Sequence, residues 1–119
     1  MNKITKFTLV LLSALGLILG TASTSFSKVE GDKIILGAAV SLTGKYSTNG
    51  KHTQNGYNMA VERINSKGGV KVGGKTYKFE IIYYDDESNS GRAAQLAERL
   101  IKQDGVQYML GPYSSGLTK

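Results

Sequence analysis

The 119-residue sequence contains no cysteine and only one histidine. The absence of cysteine excludes a disulfide framework, a thiolate metal site, a cysteine nucleophile and a lipidated N-terminal cysteine. The histidine, His52, has no second candidate ligand nearby, so we expect it to be solvated. The formal net charge is +6, but the lysines are spread along the chain and form no basic stripe with interleaved aromatic residues. This distribution argues against nucleic acid as a partner.

The N-terminal segment is typical of a secretory signal peptide. It has two lysines, an apolar core over residues 7–20, and then small residues up to Ser27 that resemble a cleavage site. An uncleaved membrane anchor is the alternative, but the apolar core is shorter than the about 20 residues that cross a bilayer. We therefore predict a signal peptide over residues 1–27, cleaved after Ser27 or alternatively after Ser23. Residues 28–119 would be exported to the periplasm or the outside of the cell.

The exported part alternates strand and helix patterns within one domain at most. Short apolar or period-two segments predict three buried strands, at residues 33–40, 75–86 and 106–110, with a small turn or hairpin before the second. The first helix is predicted from the spacing of Tyr57, Ala60, Val61 and Ile64 and ends near residues 67–69; the second has cap candidates at residues 88–90 and ends at Gly105. A further helix is expected after residue 111. This order predicts an α/β fold: a three-layer, doubly wound parallel sheet of strand order 2-1-3.

In such a sheet, ligands bind beyond the carboxyl ends of the strands, where the winding reverses. The loops that meet there are residues 41–50 and 111–116, which are also the loops richest in hydroxyl residues and glycine. If Ser114 or Ser115 caps the following helix, its hydroxyl and the unpaired amides of the first turn converge on a point that attracts an anion such as a carboxylate. A serine that simply caps its own helix explains the same residues equally well.

Tyrosines divide between the loops and the regular elements. Tyr46 and Tyr113 lie in the two loops, where they either cover the apolar part of a ligand or remain spare surface aromatics. The others are predicted to lie in helices or strands and to belong to the core: Tyr57, Tyr77, Tyr83, Tyr84 and Tyr108.

Catalytic and cofactor chemistry is poorly supported. The stretch around Ser114 lacks the glycine spacing of a nucleophile elbow, and Leu117 stands where a phosphate-binding loop needs lysine. The acidic run at residues 85–87 is interpreted as a solvated strand end and helix-dipole partner rather than a metal site, because the strands ending at Val40 and Leu110 add no aspartate. We therefore predict no enzymatic activity, no cofactor and no metal.

Four segments, taken in order after an export signal, resemble the branched-chain amino acid ABC transporter substrate-binding proteins, a family of type I periplasmic binding proteins. They are "ILGAAVSLTGKYSTNG", "NGYNMAVERINSKGGV", "YYDDESNSGRAAQLAERLI" and "GPYSSG", and the similarity runs from about Lys33 to the last residue. The resemblance implies capture of a small amino acid, branched-chain or a related carboxylate, for delivery to an ABC permease in the inner membrane. It further implies that Ser114 and Ser115 grip the ligand's α-carboxylate, with Ser115 favoured, and that residues 46–49, from Tyr46 to Asn49, line the side-chain end of the pocket.

The sequence also departs from the family pattern. Lys45 stands where many members have proline, and Asn49 where an aromatic residue often precedes the second glycine, so the side-chain preference stays open. We expect residues 28–119 to be the N-terminal part of lobe 1 in a truncated reading frame, with the second lobe absent, and to bind ligand barely or not at all alone. The alternative functions are the extracellular ligand-sensing domain of a signalling receptor with this fold, and a secreted α/β enzyme.

Overall fold

The computed structural model describes residues 29–119. The predicted signal peptide, residues 1–27, lies outside the described residues and stays a prediction. Within residues 29–119, no helix combines the length and the apolar character needed to cross a membrane.

Five strands and three helices make up the described chain. In chain order they are β1 (Val29–Glu30), β2 (Lys33–Val40), α1 (Ser47–Ser66), β3 (Val70–Val72), β4 (Lys75–Asp85), α2 (Ser90–Lys102), β5 (Tyr108–Leu110) and α3 (Ser115–Thr118).

Strand β2 is the centre of the sheet. β4 pairs with it in parallel along its whole length, so that Val40 at its end lies opposite Asp85. β5 pairs in parallel with the other edge, with Ala38 opposite Leu110. The spatial order β4-β2-β5 confirms the predicted α/β sheet of order 2-1-3. Two antiparallel strands extend it: β1 pairs with the start of β2, and β3 forms a hairpin with β4.

The helices cover opposite faces of this sheet. On one face, Ile35 packs with Leu100 of α2 and with Val106, and these three side chains form the buried core cluster. Gly37 allows this close packing, because a Cβ there would lie 2.9 Å from a side-chain atom of Val106. On the other face, the neighbouring β2 residues and the apolar side of α1 line an open groove of about 510 Å³. The sheet therefore lies between two helical layers, as predicted.

Helix α2 begins at the predicted cap and ends at Lys102, three residues before the predicted terminator Gly105. The side chain of Asn89 accepts a hydrogen bond from the backbone N–H of Arg92 at 2.9 Å and so caps the first turn. Ala93, Leu96 and Leu100 are its buried residues. The chain leaves the helix through Gly105, whose φ of +69° is readily adopted by glycine.

Helix α1 begins earlier than expected. Residues 41–50 were predicted to be loop, but α1 starts at Ser47, which places Asn49 and Gly50 in its first turn. The cause is tertiary: Gly50 is buried so closely against the backbone of Ser41 that a Cβ would lie 1.9 Å from the Ser41 carbonyl oxygen. At its other end, the side chain of Asn65 donates to the Phe79 carbonyl and accepts from the Phe79 N–H, both at 2.8 Å.

One of the tyrosines assigned to the core is exposed. Tyr57, Tyr77, Tyr83 and Tyr84 are partly buried, whereas Tyr108 is 55% exposed, so its core assignment is wrong. Strand β5 has only three residues, and Tyr108 lines the open groove on the α1 side of the sheet.

Candidate functional site

The two loops that topology places at the crevice do meet. They follow β2 and β5, which are parallel neighbours, so both leave the sheet at the same edge. The rings of Tyr46 and Tyr113 have their centroids 6.1 Å apart and are tilted by 55°. The Tyr57 hydroxyl also donates a hydrogen bond to the Gly111 carbonyl at 2.8 Å, which fixes the second loop to α1. One tyrosine from each loop thus contributes to a shared aromatic wall.

Ser114 caps the short helix after β5. Its Oγ accepts a hydrogen bond from the Gly116 N–H at 3.2 Å, and its carbonyl accepts from the Leu117 N–H at 2.9 Å. Leu117 is buried and anchors this turn. Because a serine hydroxyl has two acceptor lone pairs and one donor hydrogen, capping leaves the O–H of Ser114 able to donate to another group. The capping role is therefore compatible with an anion-binding role.

Ser115 is the first residue of α3 and is exposed. It stands beside the capping serine, on the turn that also carries Tyr113. The N–H groups of Gly116 and Leu117 already donate to Ser114. The hydroxyls of Ser114 and Ser115 and the N–H of Ser115 are therefore the donors grouped at the crevice edge of the sheet. All are neutral hydrogen-bond donors, which suits a ligand that supplies the negative charge itself.

The first loop contributes Tyr46 and the start of α1. Tyr46 is the N-cap residue of α1, is partly buried, and makes no side-chain cap. Asn49 is exposed on the first turn of the helix, where its carbonyl accepts from the hydroxyl of Thr53 at 3.0 Å. Lys45 places its Nζ 4.8 Å from the centroid of the Tyr46 ring. The structure thus brings Tyr46 to the second loop, with Asn49 further along α1.

The acidic run after β4 is not the solvated strand end that was expected. Asp86 is fully buried; it accepts from the Ser41 hydroxyl at 2.6 Å and from the Ser88 N–H at 2.8 Å. Its second carboxylate oxygen is buried without a hydrogen-bond partner. The interpretation fails because β4 runs parallel to β2, so its end lies directly beside the start of the first loop.

Asp85 binds the first loop more extensively. Its Oδ1 accepts from the backbone N–H groups of Leu42 at 2.9 Å and Thr43 at 3.2 Å, and from that of Glu87 at 2.9 Å. Its Oδ2 accepts from the Thr43 hydroxyl at 2.7 Å. Partial burial raises the pKa of Asp85, but the hydrogen bonds to its carboxylate outweigh that effect and hold the pKa below its ordinary value.

Ser88 completes the contact between the two loops. Its Oγ donates to the Thr43 carbonyl at 2.8 Å and accepts from the Tyr46 N–H at 3.0 Å. The backbones are also close, since a Cβ on Gly44 would lie 2.7 Å from the Glu87 carbonyl oxygen. We call the contacts of Asp85 and Ser88 with residues 42–46 the loop clamp. One sequence feature indicated the loop clamp, namely an acidic run at the end of a strand that is adjacent to the central strand.

Other candidate chemistry is sparse in this part of the chain. His52 is exposed on α1. Among residues 29–119, no group of three or more histidine, cysteine, aspartate or glutamate side chains is arranged to hold a metal ion.

Comparison with known proteins gives a consistent picture. The family model described as periplasmic binding protein matches residues 33–119. A Leu/Ile/Val-binding protein of Rhizobium johnstonii is 29% identical over 96 residues, which is 81% of this chain and 25% of that protein. The Leu/Ile/Val-binding protein of Escherichia coli K12 is 28% identical over 104 residues, 87% of this chain and 27% of its own length. The chain thus spans about a quarter of the length of these relatives.

The solved structures agree with this result. The branched-chain amino acid transporter substrate-binding protein of Streptococcus pneumoniae, solved in complex with isoleucine, superposes with a TM-score of 0.64 at 31% identity. The superposition covers 72% of this chain and 24% of that protein. Because the family model matches most of the described residues, this chain belongs to the periplasmic binding protein family, whose members bind solutes.

Proposed function

We propose that this chain is part of an exported, non-enzymatic solute-binding protein that captures a small amino acid, branched-chain or a related carboxylate. The captured ligand would be delivered to an ABC permease in the inner membrane. The observation that carries this proposal is the meeting of the two loops at the carboxyl ends of β2 and β5, in a chain whose relatives are named for leucine, isoleucine and valine.

The two loops have complementary roles in this proposal. The hydroxyl and the N–H of Ser115 and the O–H of Ser114 donate hydrogen bonds to the ligand's α-carboxylate. The rings of Tyr46 and Tyr113 cover its apolar side chain, and Asn49 borders the same end of the pocket. The donors are neutral and the rings lie together, so the site favours a ligand with one carboxylate and a compact hydrocarbon group.

Capture also requires a second surface. Relatives are about four times as long as the matched region, and we propose that a second lobe closes over the ligand and supplies partners for its ammonium group. Closure of two lobes around a ligand is also the change that a permease can recognise. Residues 28–119 alone would then bind ligand weakly, because half of the contacts are missing.

The first experiment is the intact mass of the protein as its own cells export it, followed by calorimetry on that protein. Leucine, isoleucine and valine are compared with 3-methylbutylamine, which is leucine without its carboxylate. We expect binding of at least one of the amino acids and none of the amine. Equal binding of leucine and the amine would contradict the role of the serine loop, and no binding of any amino acid would contradict the proposed function. A product with a membrane span and a cytoplasmic domain would favour a sensing receptor instead.

Single substitutions assign the carboxylate contact. Loss of one hydrogen bond to a charged group costs about 1.5–3 kcal/mol, so Ser115→Ala weakens binding by roughly 10- to 150-fold. Ser66→Ala is the matched control, since its hydroxyl donates to the Arg63 carbonyl at the far end of α1. If the two variants bind equally well, Ser115 is not a carboxylate ligand.

A further inference from the structure

The first loop has little apolar packing to hold it in place. Thr43, Gly44 and Lys45 are exposed, and Leu42 is only partly buried. Tyr46 provides no side-chain cap for the helix that follows. The long-range hydrogen bonds that hold this loop are therefore those of the loop clamp. In them Asp85 at the end of β4 accepts from the loop, and Ser88 in the turn after β4 both accepts and donates.

Asp85 is the centre of the clamp. Both of its carboxylate oxygens are used, and three of the four groups that donate to it belong to Leu42 and Thr43. The fourth donor is the N–H of Glu87, which holds the carboxylate in its own turn. Glu87 and Ser88 have positive φ angles of 53° and 61°, a conformation that is uncommon outside glycine and that places Ser88 against the first loop.

The loop clamp is connected to the pair of rings formed by Tyr46 and Tyr113. Ser88 Oγ accepts from the N–H of Tyr46, and the ring of Tyr46 contacts the ring of Tyr113 in the serine loop. The position of the Tyr46 ring relative to the serines is thus set by hydrogen bonds that begin at Asp85 and Ser88. Asp85 itself points to the backbone of the first loop.

We propose that Asp85 is a positioning residue for ligand binding: it holds residues 42–46 in the conformation that places Tyr46 beside the serine loop. The inference rests on the proposed function. Without the carboxylate, only a fraction of molecules has Tyr46 in place, and the apparent affinity falls by that fraction. Asp85 makes no contact with the ligand and acts through the loop.

The test compares three variants of the exported protein by leucine calorimetry, thermal melting and hydrogen exchange of the Leu42 and Thr43 amides. Asp85→Ala removes all of the acceptors, and Asp85→Asn keeps one side-chain oxygen for the backbone amides. Asp104→Asn is the matched control, because that carboxylate accepts from the Tyr84 hydroxyl at 3.0 Å, away from the clamp. We expect Asp85→Ala to weaken leucine binding by about tenfold, if the competent fraction drops to about one tenth. Asp85→Asn loses less, and Asp104→Asn stays within about twofold of the wild type.

Faster exchange of the two loop amides in Asp85→Ala, with little change elsewhere, distinguishes loop positioning from general destabilisation. Unchanged leucine affinity in Asp85→Ala overturns the inference while leaving the proposed function intact. Equal losses in Asp85→Ala and Asp104→Asn, or unchanged exchange of Leu42 and Thr43, also overturn it. If Asp85→Ala does not fold, Asp85→Asn carries the same comparison. A wild-type protein that binds no amino acid refutes the proposed function itself.

Discussion

Replacing Gly50 by alanine tests the closest backbone contact near the site. Gly50 lies in the first turn of α1, and a Cβ there would be 1.9 Å from the carbonyl oxygen and 2.6 Å from the carbonyl carbon of Ser41. Both atoms belong to the backbone, so no side-chain rotation relieves the overlap. To reach even 3.0 Å, the start of α1 or the end of β2 must shift by roughly 1 Å, which packed interiors resist.

The size of the effect follows from two opposed terms. Alanine is favoured over glycine inside a helix by about 0.8–1.0 kcal/mol, and this gain applies equally to Gly50 and to Gly56. Gly56 lies in the same helix, and a Cβ there would have no atom within 4 Å. Overpacking typically costs 1–3 kcal/mol and occasionally more, and a clash with fixed backbone belongs at the upper end. We therefore expect Gly50→Ala to lose about 2 kcal/mol and Gly56→Ala to gain up to about 1 kcal/mol.

Urea denaturation of the wild type and both variants, followed by circular dichroism, measures this difference. The three curves need a common slope for the midpoints to be compared as free energies. The difference between the unfolding free energies of the two variants cancels the gain in helix propensity. What remains is the steric cost of the added Cβ against Ser41. If Gly50→Ala is as stable as Gly56→Ala, the close approach of α1 to the end of β2 is refuted.

Two further predictions concern the hydrophobic core and the loss of stability at acidic pH. Leu100 is fully buried against Ile35 and Val106 whereas its neighbour Ile101 is 53% exposed, so Leu100→Ala should lower the unfolding free energy by about 2–5 kcal/mol and Ile101→Ala change it by no more than about 0.5 kcal/mol. Equal losses in urea titrations would contradict this core. Because the pKa of Asp85 is lowered in the folded state, its stabilisation is complete above its unfolded pKa and disappears as the pH falls through its folded pKa. Asp85→Asn should therefore flatten the fall of the melting temperature below about pH 4, and parallel curves for variant and wild type would refute this.

Much of the fold could be predicted because its signals are local. The strand β2 coincides with the apolar run Lys33–Val40, and α2 is delimited by the cap at Asn89 and by Gly105. Short connections between strands and helices then restrict the sheet to one parallel order, which the pairing of β4 and β5 with β2 confirms. The start of α1 was missed, since its first turn has the serine, threonine, asparagine and glycine of a typical loop. Its position depends on a contact between Gly50 and Ser41 that no local pattern contains.

The same distinction between predictable features and long-range contacts applies to the candidate site. Topology predicted which loops would meet, and the rings of Tyr46 and Tyr113 are in contact there. The loop clamp was missed because Asp85 and its partners Leu42 and Thr43 are separated by more than 40 residues. An acidic run after a strand is equally typical of a solvated strand end. Only the parallel register, with Val40 opposite Asp85, brings the carboxylate to the loop.

The two parallel neighbours of β2, β4 and β5, contribute differently to the proposed site. β5 leads into the serine loop, whose hydroxyls and amides face the ligand in our proposal, whereas β4 leads into carboxylates that bind the protein's own loop. Asp86 shows that this second arrangement has a cost, because one of its oxygens is buried without a partner. A fully buried carboxylate destabilises the fold unless its hydrogen bonds compensate, and those of Asp86 come from Ser41 and Ser88, one on each loop. In our proposal, a preformed first loop lowers the ordering cost of capture, so that acidic residues outside the ligand's contacts affect its affinity.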